Sequence, residues 1–113
     1  MKLCMVGTGY VGLVSGTCFA DLGNQVYCVD KDIQKITKLK SCVSPIYEPG
    51  LDELIKKNYS AKRLNFTTDL KKAISKSDII FICVGTPSKK NSLEVNLSYV
   101  FKSIKEIFKY SKK

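Results

Sequence analysis

The sequence predicts an α/β domain: a doubly wound parallel sheet of about four strands, incomplete, in the order 3-2-1-4. Three observations predict it. Short apolar runs of strand length alternate with stretches of helical periodicity along the whole chain; this pattern implies right-handed crossovers and a parallel sheet. The first run, residues 3–6, leads directly into Gly7-Thr8-Gly9-Tyr10-Val11-Gly12. The next run closes on an acid, Asp30.

Each element has a local reason. Residues 2–6 form the first strand. A helix follows over residues 10–22, and Gly23 can close it with a left-handed cap. The second strand covers residues 25–29, with Val26 and Val29 apolar. Asp32 is a natural N-cap for a helix through Lys40, with Ile33, Ile36 and Leu39 on one face. The breakers in Ser44-Pro45-Ile46-Tyr47-Glu48-Pro49-Gly50 make a loop. Residues 51–58 read as a short helix with Leu51, Leu54 and Ile55 inward. A third strand takes residues 64–67, and Asp69 caps a helix to about Ser75. The wholly apolar run 79–84 reads as a buried parallel strand, ended by Gly85-Thr86-Pro87. A polar loop precedes a last helix over residues 97–110. The fourth strand then sits at an open sheet edge, an aggregation liability when apolar. That edge suggests a fragment, or a chain that needs a partner there.

The glycine turn at a strand-to-helix junction describes a cradle for a dinucleotide, in a Rossmann-like sheet. Gly7 permits the tight turn. A side chain at Gly9 would block backbone approach to a pyrophosphate. Gly12 lets the helix pack closely. The helix start, at Tyr10 and Val11, offers unpaired N–H groups and partial positive charge to phosphates. Asp30, 18 residues after Gly12, can accept hydrogen bonds from ribose hydroxyls and would repel a 2′-phosphate, which favours NAD over NADP. Lys31 beside it weakens that preference slightly. Gly7, Asp30 and Gly85-Thr86 all fall at the carboxyl ends of predicted strands, where such sheets bind ligands.

Composition excludes several classes. The 113 residues make one domain at most. No apolar run approaches the ~20 residues that span a bilayer. An export signal over the first 20 residues is disfavoured by four glycines and a core broken at Thr8-Gly9-Tyr10. The five cysteines, Cys4, Cys18, Cys28, Cys42 and Cys83, are odd in number and form no CxxC. Three fall in predicted strands as small apolar residues, which favours a reducing cytoplasm without disulfides. With no histidine and no acid cluster, a metal site is not expected. The net charge of +9 raises nucleic-acid binding. The lysines, however, fall at helix-surface spacings, and no reading motif or interleaved aromatics accompany them. We therefore expect neither nucleic acid nor membrane as a partner.

The residues Met1 to Val14, MKLCMVGTGYVGLV, together with Val29-Asp30, Pro45-Ile46-Tyr47-Glu48-Pro49-Gly50-Leu51, Phe66-Thr67-Thr68-Asp69-Leu70, Val84-Gly85-Thr86-Pro87 and Leu97-Ser98-Tyr99-Val100, resemble the nucleotide-sugar dehydrogenases, in the UDP-glucose 6-dehydrogenase branch. The landmarks run in that family's order over almost the whole chain. The resemblance implies a two-step oxidation of the sugar C6 hydroxyl to a carboxylate with reduction of two NAD molecules. It implies an amino-terminal NAD-binding domain, then a central helix and a UDP-sugar domain. Both of those are expected to be absent from residues 1–113, so this chain alone is expected to be inactive. A homo-oligomer is implied for full-length members. Family cofactor residues map onto Val11, Asp30, Lys35 and Thr86, with Lys35 offering charge on the adenosine side and Thr86 near the nicotinamide side. Without the resemblance, Lys35 reads as a solvated helix lysine.

The sequence also departs from the family. Its catalytic cysteine falls beyond Lys113, and Cys83, inside a predicted buried strand, is no substitute. Asn91-Ser92 and Asn96 stand where a glycine and an aspartate usually precede LSYV, which puts that loop in doubt. UDP-N-acetylmannosamine and GDP-mannose dehydrogenases remain alternatives, as does a nucleotide-binding module without catalysis.

Overall fold

The computed structural model describes residues 1–85 and 97–111. Thr86, Pro87, Asn91, Ser92 and Asn96 lie outside these residues. The elements run β1 (Lys2–Val6), α1 (Tyr10–Asp21), β2 (Gln25–Val29), α2 (Ile33–Lys40), α3 (Leu51–Ser60), β3 (Leu64–Thr67), α4 (Leu70–Lys76), β4 (Ile79–Ile82) and α5 (Ser98–Tyr110). The sheet is parallel throughout, in the order β3-β2-β1-β4. The chain builds outward from β1 to β2 to β3. It then returns past both strands to place β4 on the other side of β1. The reversal between β2 and β4 opens a crevice at the carboxyl end of β1.

Two apolar layers cover the sheet. Leu3, Met5, Val26, Cys28, Leu64 and Phe66 point to one face and pack with Leu13, Ile36, Leu39, Leu51 and Ile55 of α1, α2 and α3. Cys4, Val6 and Val29 point to the other, where Ala73, Leu70 and Ile107 of α4 and α5 meet them. This alternation is the two-residue period of a strand read on both faces. Each fully buried Leu, Ile or Met contributes about 1.5–3 kcal/mol.

The helix ends follow their local chemistry. The Asp32 carboxylate accepts from the Gln34 and Lys35 amides at the start of α2. Asp69 accepts from the Lys72 amide at the start of α4. Gly23, at φ +106°, donates to the Ala20 carbonyl at 2.9 Å and ends α1 as expected.

Four expectations change. The fourth strand stops at Ile82, and it is not buried: Ile79, Phe81 and Ile82 are 36–41% exposed. As an edge strand among the described residues, it pairs with β1 on one side; Phe19 stacks on Phe81, and Ile80 packs into the layer that α4 and α5 cover. Ile33 is 61% exposed, on a surface it shares with Gln34, Thr37 and Lys38, while Ile36 and Leu39 are buried. Leu54 is only half-buried. The inward position one turn later is taken by Asn58, fully buried. Its amide donates to Asp21 and to the Leu54 carbonyl, and its oxygen accepts from Arg63 Nε at 3.0 Å. The buried amide is thereby satisfied, and α1, α3 and β3 are tied together at the far end of the sheet from the crevice.

Candidate functional site

The crevice at the end of β1 is a cleft of about 1010 Å³, on the scale of a cofactor site. The sequence builds its floor from glycine. Gly7 leaves β1 at φ +107° and donates to the Val29 carbonyl at 2.8 Å. A Cβ there would stand 2.6 Å from the Cys83 carbonyl oxygen, so only glycine lets the end of β4 lie this close. Gly12 packs on the turn itself. Its Cβ would fall 2.0 Å from the Gly7 carbonyl oxygen and 3.1 Å from Cys83 Cβ.

The expectation that Gly12 sets the approach of α1 to the sheet is therefore refined. Contact with the body of the sheet occurs at Gly16, one turn later, where a Cβ would stand 3.0 Å from Cys28 Sγ and from Met5 Cγ. The sequence signal for Gly16 was its spacing of four from Gly12 on the same helix face.

Gly9 differs from these. It is the N-cap of α1, in extended backbone (φ −72°, ψ −167°), with no side chain on the first-turn amides and no acid in the first turn. A Cβ there would meet nothing within 4 Å. The space beside it belongs to the cleft, which Gly9, Tyr10 and Val11 all line. An uncapped, positively polarised helix start facing an open cleft is suited to an anion.

Asp30 follows β2 and also lines the cleft. Its Oδ2 accepts from the Thr8 amide at 3.0 Å and from the Thr8 hydroxyl at 2.6 Å. Its Oδ1 accepts from the Asp32 amide at 3.0 Å. Lys35 Nζ stands 3.5 Å from Oδ2. Burial works to raise the Asp30 carboxyl. The Thr8 hydroxyl, the Asp32 and Thr8 amides and the Lys35 ammonium outweigh it, and Asp30 sits below the ordinary carboxylate value. It is thus ionised at neutral pH. Lys35 is placed at the cleft by this ion pair rather than left as a solvated surface lysine.

The structure brings six predicted residues to one cleft: Gly7, Gly9, Tyr10, Val11, Asp30 and Lys35. Gly12 supports that cleft from behind, and Thr86 lies outside the described residues. Tyr10, 55% exposed, donates its hydroxyl to Glu48 at 3.1 Å. That bond, and then the Glu48 charge, raise the Tyr10 hydroxyl above its ordinary value. It links the glycine turn to the Tyr47-Glu48-Pro49-Gly50 loop.

Sequence reasoning missed several contributors. Thr8, 1% exposed, has no role assigned to it from the sequence. The side of the cleft formed by α5, through Tyr99, Lys102, Ser103 and Glu106, was not anticipated. Lys31 bridges to Glu106 at 3.3 Å and closes that side over the end of β2. Helix amphipathicity alone does not say which crevice a helix borders. Cys83 lines the cleft, half-buried just past β4, and not within a buried strand. Burial raises its thiol, which leaves little thiolate for chemistry. Cys4 is pushed up to about 12 by burial, and Cys28 is raised as well, also by burial.

The residues fit the anionic and ribose parts of a dinucleotide: an open glycine at a helix start, an oriented carboxylate, and lysines at the rim. Among the described residues, no helix is long and apolar enough to cross a membrane.

Comparison with known proteins agrees with this geometry. Residues 1–113 match the model of the NAD binding domain of the UDP-glucose/GDP-mannose dehydrogenase family. The chain is 56% identical over 107 residues to the UDP-glucose 6-dehydrogenase of Rhizobium meliloti, covering 95% of this chain and 24% of that protein. It is 56% identical over 106 residues to a UDP-glucose 6-dehydrogenase of Bacillus subtilis, covering 94% and 23%. A crystal structure of a ternary complex of the Pseudomonas aeruginosa GDP-mannose dehydrogenase superposes with a TM-score of 0.91 at 44% identity, over 95% of this chain and 24% of that one. The chain thus spans about a quarter of the length of the relatives it matches.

Proposed function

From the premise that the chain belongs to the UDP-glucose/GDP-mannose dehydrogenase family, as its NAD-binding domain, we propose that it serves as the cofactor-holding part of a UDP-glucose 6-dehydrogenase. The whole protein would take the C6 hydroxyl of UDP-glucose to a carboxylate, a four-electron oxidation. When bound, NAD supplies the hydride acceptor, and two molecules are reduced per sugar. On this reading the sugar nucleotide and the nucleophile are held by parts of the protein outside these 113 residues. The chain by itself then binds cofactor without turnover; the full-length protein works in the cytoplasm as a homo-oligomer.

Each residue at the cleft has a role on this reading. The backbone amides at Gly9, Tyr10 and Val11 hold the pyrophosphate, and Gly9 leaves them room. Asp30 accepts from the adenosine ribose hydroxyls, and Lys35 steadies its charge. Gly7 and Gly12 keep β1, α1 and the end of β4 close enough to form the floor. For Thr86, a role toward the nicotinamide side rests on the family resemblance of Val84-Gly85-Thr86-Pro87 alone.

One observation carries the proposal: the uncapped start of α1 and the ionised Asp30 carboxylate face the same cleft. Identity to two UDP-glucose 6-dehydrogenases at 56% favours that branch. The 44% identity to a GDP-mannose dehydrogenase of near-superposable fold keeps GDP-mannose as the second candidate. Two measurements test this. Calorimetry on this chain should show NAD binding that Asp30→Ala weakens about tenfold or more, the size of a charged hydrogen bond; unchanged affinity removes Asp30 from the site. The full-length protein should form NADH with UDP-glucose, and formation with GDP-mannose alone would move it to the other branch.

A further inference from the structure

We infer that Thr8 is a positioning residue for cofactor recognition, one that fixes the Asp30 carboxylate so that a single oxygen, Oδ1, is presented to the ribose. The inference rests on the proposed role of Asp30 and adds a residue to it.

Its basis is the distribution of donors on the carboxylate. Oδ2 receives the Thr8 amide at 3.0 Å, the Thr8 hydroxyl at 2.6 Å and the Lys35 ammonium at 3.5 Å. Among the described residues, Oδ1 receives the Asp32 amide alone, at 3.0 Å. A carboxylate oxygen has about two lone-pair sites, so Oδ2 is filled and Oδ1 retains capacity for one more donor. Thr8 supplies two of the three donors on Oδ2, from a residue 1% exposed. The backbone amide would serve at this position with any residue. The hydroxyl is specific to threonine or serine, and it makes the shorter bond. An aliphatic residue here would keep the glycine turn and lose the brace.

The charges around the carboxylate are placed to leave this brace decisive. Lys31 of the β2–α2 corner is committed to Glu106 of α5. Asp32 spends its own carboxylate on the start of α2, and Asp69 does the same for α4. Lys71 of α4 and Lys102 of α5 edge the cleft. Lys35 is thus the one cation among the described residues with a recorded ion pair to Asp30, and the Thr8 hydroxyl is the shortest contact.

The test uses three variants of this chain. Thr8→Val keeps shape and removes the hydroxyl, Thr8→Ala removes it without a second methyl to accommodate, and Thr8→Ser restores it. Carbon-detected NMR follows the Asp30 carboxyl without ligand, and calorimetry measures NAD. Thr8→Val and Thr8→Ala should raise the Asp30 titration midpoint and weaken NAD about tenfold, while Thr8→Ser stays near the parent in both. Parental midpoint and affinity in the Val and Ala variants, or equal damage by Ser, overturns the inference and leaves Asp30's role standing. If Asp30→Ala leaves NAD binding untouched, the role of Asp30 falls, and this inference falls with it.

Discussion

Gly9→Ala separates binding from folding more cleanly than any other substitution in the turn. Gly9 has φ −72° and ψ −167°, a conformation open to any residue. The added methyl would meet no atom within 4 Å. Replacing glycine where the backbone is compatible stabilises by ~0.4–1 kcal/mol through the unfolded chain. Alanine is a poorer N-cap than glycine, at a cost of up to about 1 kcal/mol. The two offset, so stability should change by less than about 1 kcal/mol, a melting shift of no more than ~8 °C. Binding should respond differently, because the methyl occupies the space a phosphate needs. Each amide–phosphate bond lost costs ~1.5–3 kcal/mol, or roughly tenfold to a hundredfold in affinity. Thermal unfolding by circular dichroism, run beside NAD calorimetry, reads both quantities. Gly7→Ala is the counter-case: its φ of +107° costs ~1–2 kcal/mol, and its Cβ 2.6 Å from the Cys83 oxygen forces the end of β4 to move, so it should lower the melting temperature. A folded Gly9→Ala chain with parental NAD affinity would refute the assignment of this position to phosphate.

Two other expectations concern titrating groups. In the folded chain at pH 8, a thiol reagent should label exposed Cys18 first and buried Cys4 and Cys28 last. With Cys4 at about 12, only about one thiol in ten thousand is ionised at that pH. Mass spectrometry showing Cys4 labelled as fast as Cys18 would contradict the burial. Glu48→Gln removes the negative charge that opposes ionisation of the Tyr10 hydroxyl, so Tyr10 should ionise at lower pH than in the parent. Ring-carbon NMR shifts report it, and an unmoved midpoint would mean that the contact does not persist in solution.

Much of the architecture was legible because it is written in short-range chemistry. Asp32 and Asp69 announce two helix starts, Gly23 ends a third helix, and the apolar runs of β1, β2 and β3 are bounded by turn residues. The strand order followed from the alternation of types and the handedness of crossovers. What sequence concealed depends on contacts between distant residues. Thr8 and Asp30 are 22 positions apart, and nothing in their spacing says that a hydroxyl braces the acid. Tyr10 and Glu48 meet across 38 positions. Asn58 sits at an apolar helical position, and its burial is explained only by Asp21 and Arg63 arriving from other elements. The run 79–84 was all apolar, which suggested complete burial; the strand order had already put it at an open edge, and that position rather than its composition sets its exposure.

The crowding of Gly12 on the Gly7 carbonyl, with Cys83 beside both, bears on how tightly an anion can be held. These are backbone and first-carbon contacts with no rotamers to freeze. The receptor's shape is settled while the polypeptide folds, so an arriving diphosphate has little local disorder to quench, and more of the gross attraction survives as affinity.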